Sequence, residues 1–122
     1  MGVPRRTVCG VGLMEDKELL ELAAKAAGAK WDKWCSLWTL DEEEWNPLTD
    51  DGDALRLAVK LELEVCTTNV KDIDGKIFKI AHVIGPDTDC LEKHKDDPYA
   101  ATRRAIVRAA AEIGRDRDEH SR

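Results

Sequence analysis

Aromatic residues are scarce in this chain: one Tyr, one Phe and four Trp in 122 residues. Positive charge is also in deficit, with 19 Lys and Arg against 25 Asp and Glu and a net charge of −6. That balance argues against direct, non-specific binding of DNA or RNA, which draws its affinity from clustered cations that displace counterions. No apolar run comes near the roughly 18 residues that a membrane span needs, so no membrane segment is expected. The opening residues, MGVPRRTVCG, hold no continuous apolar stretch of the kind that makes a secretory signal. The protein is expected to remain in the compartment where it is made, the cytoplasm.

Cysteine pairs are missing as well. Cys9, Cys35, Cys66 and Cys90 never form a C-x-x-C unit, which excludes a zinc ribbon and a thioredoxin-like centre. Free thiols serving as small core residues are the expectation. Cys90 and His94 have the spacing of two metal ligands, but no further ligand stands near them, and no metal or other cofactor is expected. A G-x-S-x-G elbow, an H-E-x-x-H pair, a Walker loop and a dinucleotide fingerprint are all absent. The three histidines are His82, His94 and His120. His82 ends a predicted strand, where a structural role fits better than catalysis, and the other two fall in charged segments. No catalytic residue is assigned, and no enzymatic activity is expected.

What is present reads as one domain, long enough to bury about two-thirds of its unfolded surface. Residues 1–14 read as an arm or edge strand, 15–114 as the domain, and 115–122 as a charged, disordered tail. Leu19, Leu20, Leu22, Ala23, Ala26 and Ala27 make an apolar stripe at helical spacing, with Asp16 placed to cap it and Gly28 to end it. Residues 34–39 read as a strand with Trp34, Ser36 and Trp38 on one face, since Trp and Thr suit a pleated surface. A second helix follows Pro47, capped by Thr49 or Asp50, with Ala54, Leu55, Ala58, Val59 and Leu61 buried. Asp50, Asp51 and Asp53 are read as a cap and dipole-complementing acids rather than cation ligands, because a calcium loop starting at Asp50 would need a Glu where Leu61 stands.

Residues 63–70 and 76–83 form a predicted hairpin about Asp72, Ile73, Asp74 and Gly75. Residues 84–96 read as a mobile loop. Asp97 and Pro98 open a third helix over 98–113, which Gly114 stops. The fold class is α+β: a layered α/β sandwich of about three helices on a small antiparallel sheet with a central hairpin.

The order of these parts, and the segments WNPLTDDGDALRLAVKL and DPYAATRRAIVRAAAEIG in particular, resembles small tailed-phage accessory proteins of the NinX and phage ABA sandwich domain type. The likeness spans residues 16–114. It implies a layered α/β sandwich and a phage or prophage origin, and it brings no catalytic motif. The acidic run Asp41, Glu42, Glu43, Glu44 and the tail beyond Gly114 depart from that pattern.

Two groups of residues are candidates for binding. All four tryptophans fall within residues 31–45. Two or three of them suit a core, and Trp45 beside the polar turn at Asn46 is placed to stack on a base or anchor a partner. Arg104 and Arg108 share a helix face, with Arg103 about 100° round, an arrangement suited to bidentate phosphate or carboxylate recognition. Pairing with Asp97, Glu112 or the acidic run is the competing reading. The acidic start of the second helix would repel phosphate, so a pocket must draw on the third helix or on Lys71, Lys76 and Lys79.

The ligand-binding candidates are therefore Trp45, Asn46, Lys79, Arg103, Arg104 and Arg108. The expected function is non-enzymatic capture of a small phosphate-bearing, nucleotide-type signal of host immunity, countering anti-phage defence. A homo-oligomer with sites between Ala-rich helices is expected to perform it. The alternatives are an acidic inhibitor whose run at 41–44 covers a basic surface of a host defence protein, and an accessory protein with a different partner.

Overall fold

The apolar stripe of the first helix settles where its spacing places it. In the computed structural model, which describes residues 7–8 and 15–120, α1 spans Asp16–Ala27 and buries Leu19, Ala23, Ala24, Ala26 and Ala27. Gly28 ends it in the left-handed region at φ 82°, its N–H returning to the Ala24 carbonyl. Glu15 rather than Asp16 occupies the cap position, without a side-chain hydrogen bond.

The tryptophan segment folds differently from expectation. β2 (Lys30–Asp32), β3 (Leu37–Leu40) and β4 (Glu43–Glu44) form a small antiparallel sheet in that order. Residues 33–36, assigned in part to a strand, are instead the turn between β2 and β3. The Asp32 carboxylate accepts the N–H groups of Trp34 and Cys35, and Ser36 adopts φ 54°. That side-chain turn fixes the reversal. Trp38 therefore pairs across strands with Trp31, edge to face at 5.3 Å, and does not share a face with Trp34.

α2 covers Asp51–Lys60, and the Asp50 carboxylate accepts the Asp53 N–H at 2.8 Å as a cap should. It buries Ala54, Leu57 and Ala58, whereas Leu55 and Val59 are exposed. The expected stripe was rotated because apolar residues at 54, 55, 57, 58, 59 and 61 allow two stripes. Packing against the third helix selects the one containing Leu57.

β5 (Glu64–Lys71) and β6 (Ile77–Gly85) form the predicted hairpin in unbroken register from Glu64↔Ile84 to Lys71↔Ile77. The loop expected at 84–96 is largely a third strand. Pro86 and Asp87, the latter at φ 62°, turn the chain directly into β7 (Thr88–Lys93). Thr88 and Cys90 face inward between Asp89 and Leu91, a period of two within a segment rich in charge. β1 (Thr7–Val8) runs parallel to β7, so the sheet order is β1-β7-β6-β5. This part of the N-terminal arm is an edge strand; residues 1–6 and 9–14, including Cys9, lie outside the described residues.

Asp97 accepts the N–H groups of Tyr99 and Ala100, opening α3 (Pro98–His120). Gly114 does not stop this helix. It stands where α3 crosses α1, and a Cβ there would lie 1.8 Å from the Leu22 carbonyl oxygen. The residues beyond it are helical to 120 rather than a disordered tail; 121–122 lie outside the described residues. Arg115 pairs with Glu112, and Arg117 donates to the Ala26 carbonyl, a cation at the C-terminal end of α1. Ala101, Ala105, Ala109, Ala110 and Ala111 are buried with Ile106 and Val107 as α3 packs on α1, β6 and β7. Among the described residues the fold is α+β: three helices, a four-stranded sheet on which α3 packs, and a separate three-stranded sheet.

Candidate functional site

Most of the sequence candidates are already engaged within the fold. Trp45 is 3% exposed in the core, and its N–H donates to the Trp38 carbonyl. It borders only a small cavity of about 200 Å³, beside Leu40, Asp41, Arg56 and Lys60, so a base cannot stack on it as expected. Arg56 donates to Asp53, and that hydrogen bond raises its pKa above the ordinary value. Asn46 builds the approach to α2: its N–H donates to Asp53 and its side-chain oxygen accepts from Leu48 N–H.

The arginines do not form an anion clamp. Arg103 donates to the Leu48 carbonyl at 2.8 Å and to Asp51 at 2.6 Å. Arg104 pairs with Asp16 and lies 3.7 Å from Glu92. Arg108, 8% exposed, donates to Glu92 and to the Leu91 carbonyl. These carboxylates differ from the partners anticipated at 97, 112 and 41–44, because the arginine face looks across to α1, α2 and β7. The guanidinium groups tie α3 to its neighbours. The alanines of α3 are buried within the same chain, so a site between Ala-rich helices of two copies has no free face to use.

Lys79 is the candidate that opens onto a cleft. Where the β5–β6 turn meets the β7–α3 connection, a cleft of about 830 Å³ is lined by Lys76, Phe78, Lys79, Lys93, His94 and Lys95, with Asp72, Asp96 and Pro98 at its margin. The positions follow from pairing. Ile80 opposes Lys93, which puts Lys93 on the face of Phe78, and its ammonium stands 4.9 Å from the centre of that ring. The His94 N–H donates to the Lys79 carbonyl, extending the ladder past the end of β7.

Four lysines thus border the cleft in a protein of net charge −6, Lys93 on the Phe78 face of the sheet and Lys79 on the opposite one. Among the described residues, none of the four is held in an ion pair. The His94 Nε2 atom is buried without a hydrogen-bond partner among those residues. The N-terminus of α3 adds little, since the Asp97 carboxylate already takes its first free N–H groups. Chemically, the cleft offers point charges for an anion and an aromatic ring already bordered by one of them.

Sequence reasoning reached Lys76 and Lys79 but missed Phe78, Lys93, His94 and Lys95. The signal was the run Lys93, His94, Lys95 set against Lys76 to Lys79, which only a strand at β7 brings together. Compared with protein-family models, curated proteins and solved structures, the chain matches none.

Proposed function

We propose that this chain is a non-enzymatic binding protein that captures a small phosphate-bearing, nucleotide-type ligand in the lysine cleft. The observation that carries this reading is a cleft lined by four lysines that form no ion pair among the described residues, one of them over the Phe78 ring, in an otherwise acidic molecule. The cleft has the size usual for small-molecule sites. Lysines at its wall supply charge-assisted hydrogen bonds to phosphate, and Phe78 supplies a face for a base. In the phage setting that the resemblance implies, such a protein acts stoichiometrically, removing a nucleotide signal of host immunity from circulation.

The test incubates purified protein with nucleotides, cyclic dinucleotides and ADP-ribose derivatives, removes unbound material, denatures the protein and identifies what is released by mass spectrometry. One ligand recovered intact is expected. Lys79→Glu with Lys93→Glu should weaken its binding at least about a hundredfold, from two charge-assisted contacts of about 1.5–3 kcal/mol each. Retention of no ligand, or equal retention by the double variant, overturns the reading. Recovery of a chemically altered ligand shows an enzyme instead.

A further inference from the structure

The small sheet β2-β3-β4 carries opposite charges on its two edges. Lys30 opposes Thr39, and Thr39 opposes Glu44, so the three side chains form one row across one face: a cation, a neutral hydroxyl and an anion. Lys30 and Glu44 are both exposed. Among the described residues neither they nor Lys33, Asp41 and Glu42 take part in an ion pair. Trp38 and Leu40, on the opposite face, pack against the core. The Lys30 face is therefore the outer one.

At the end of this sheet Trp34 is 97% exposed, on a turn already fixed by the Asp32 carboxylate. The backbone that carries the ring is thus already ordered, and a large exposed ring offers much apolar area to a partner. Leu37, at the start of β3, lies on the outer face opposite Asp32. A cleft of about 670 Å³ runs beside Trp34, bordered by Lys30, Trp31, Lys33 and Thr39.

We propose that this face is a self-association surface, on which two copies pack their three-stranded sheets outer face to outer face about a two-fold axis parallel to β3. A rotation of 180° about that axis carries β2 of one copy over β4 of the other. It sets Lys30 against Glu44 of the second copy, and does so twice. It also brings the two Trp34 tips together across the axis, with Leu37 and Thr39 at the centre. The result has the anatomy of a protein interface, an apolar middle within a charged rim. The occupant is a second copy because the acid that complements Lys30 lies on the same face of this chain, at the distance of two strands.

Sedimentation velocity on the full chain, from about 1 to 500 µM, reads the association constant directly. A monomer–dimer equilibrium is expected. Trp34→Ala and Lys30→Glu should each raise the dissociation constant at least about tenfold, with circular dichroism confirming an unchanged fold. Glu44→Lys should do the same. An equimolar mixture of the Lys30→Glu and Glu44→Lys variants should recover dimer, because each copy then meets an opposite charge at both contacts. A wild-type monomer at every concentration overturns the proposal, as does a dimer indifferent to Trp34→Ala. Mixed variants that stay monomeric overturn the face-to-face geometry. A wild-type monomer that instead binds an acidic peptide or an oligonucleotide through Trp34 assigns the surface to another partner.

Discussion

Replacing Gly114 by Ala should destabilise the protein, although alanine is the better helix former. In an open helix the exchange would gain about 1 kcal/mol. Here the added Cβ would sit 1.8 Å from the Leu22 carbonyl oxygen, against the 3.4 Å at which ordinary contact begins. The obstructing atom is backbone, so no side-chain rotation relieves it, and α3 must move away from α1. That movement loosens the buried alanines along the crossing, among them Ala23, Ala26 and Ala110. Overpacking of this kind costs about 1–3 kcal/mol and sometimes more. A net loss of about 2 kcal/mol would lower the melting temperature by about 8 °C in a domain of this size. Thermal and urea unfolding followed at 222 nm measure it. Gly52→Ala is the control: its Cβ would meet only the ends of side chains, the Arg56 guanidinium at 3.1 Å and the Asp50 carboxylate at 3.2 Å, which can give way, and a smaller loss is expected. A Gly114→Ala protein as stable as the wild type would refute the close crossing and return Gly114 to the role of a weak point in the helix.

Two further substitutions separate core from surface and helix from tail. Trp45→Ala should cost about 3–5 kcal/mol in urea unfolding, whereas Trp34→Ala, on a fully exposed tip, should stay within about 0.5 kcal/mol of wild type; equal effects would mean that the two burials are wrongly assigned. Arg117→Ala removes a donor from the Ala26 carbonyl and should cost about 1 kcal/mol. No change there would mean that the last turns of α3 add nothing to stability.

What the sequence disclosed was chiefly local. The cap at Asp97, the left-handed Gly28 and the turn at Asp72 to Gly75 depend on residues within one turn of themselves, and each is present. Errors arose where distant packing chose between local options. The face of α2 is selected by α3, so Leu57 displaced Leu55 and Val59 inside the core. Gly114 has the local form of a stop signal, but its meaning comes from Leu22, far away in the chain. β7 was hidden because Glu92, Lys93, His94 and Lys95 give it a loop's composition. The arginines look like a site in the sequence because their partners, Asp16, Asp51 and Glu92, come from three other elements. The cleft failed to appear for the same reason: its lysines meet only after β6 and β7 have paired.

The crossing of α1 and α3 also bears on how the chain reaches its native state. The hairpin of β5 and β6 closes over a short turn, and the strands of the tryptophan sheet pair with near neighbours in sequence. α1 is different, because most of its apolar stripe is covered by the last helix. Joining them closes a loop of about ninety residues, a step that is entropically costly and slow compared with the local ones. During synthesis the alanine stripe of α1 must remain uncovered until α3 has been made. The order of translation therefore opposes the order of packing, and the core closes only once α3 has followed α1.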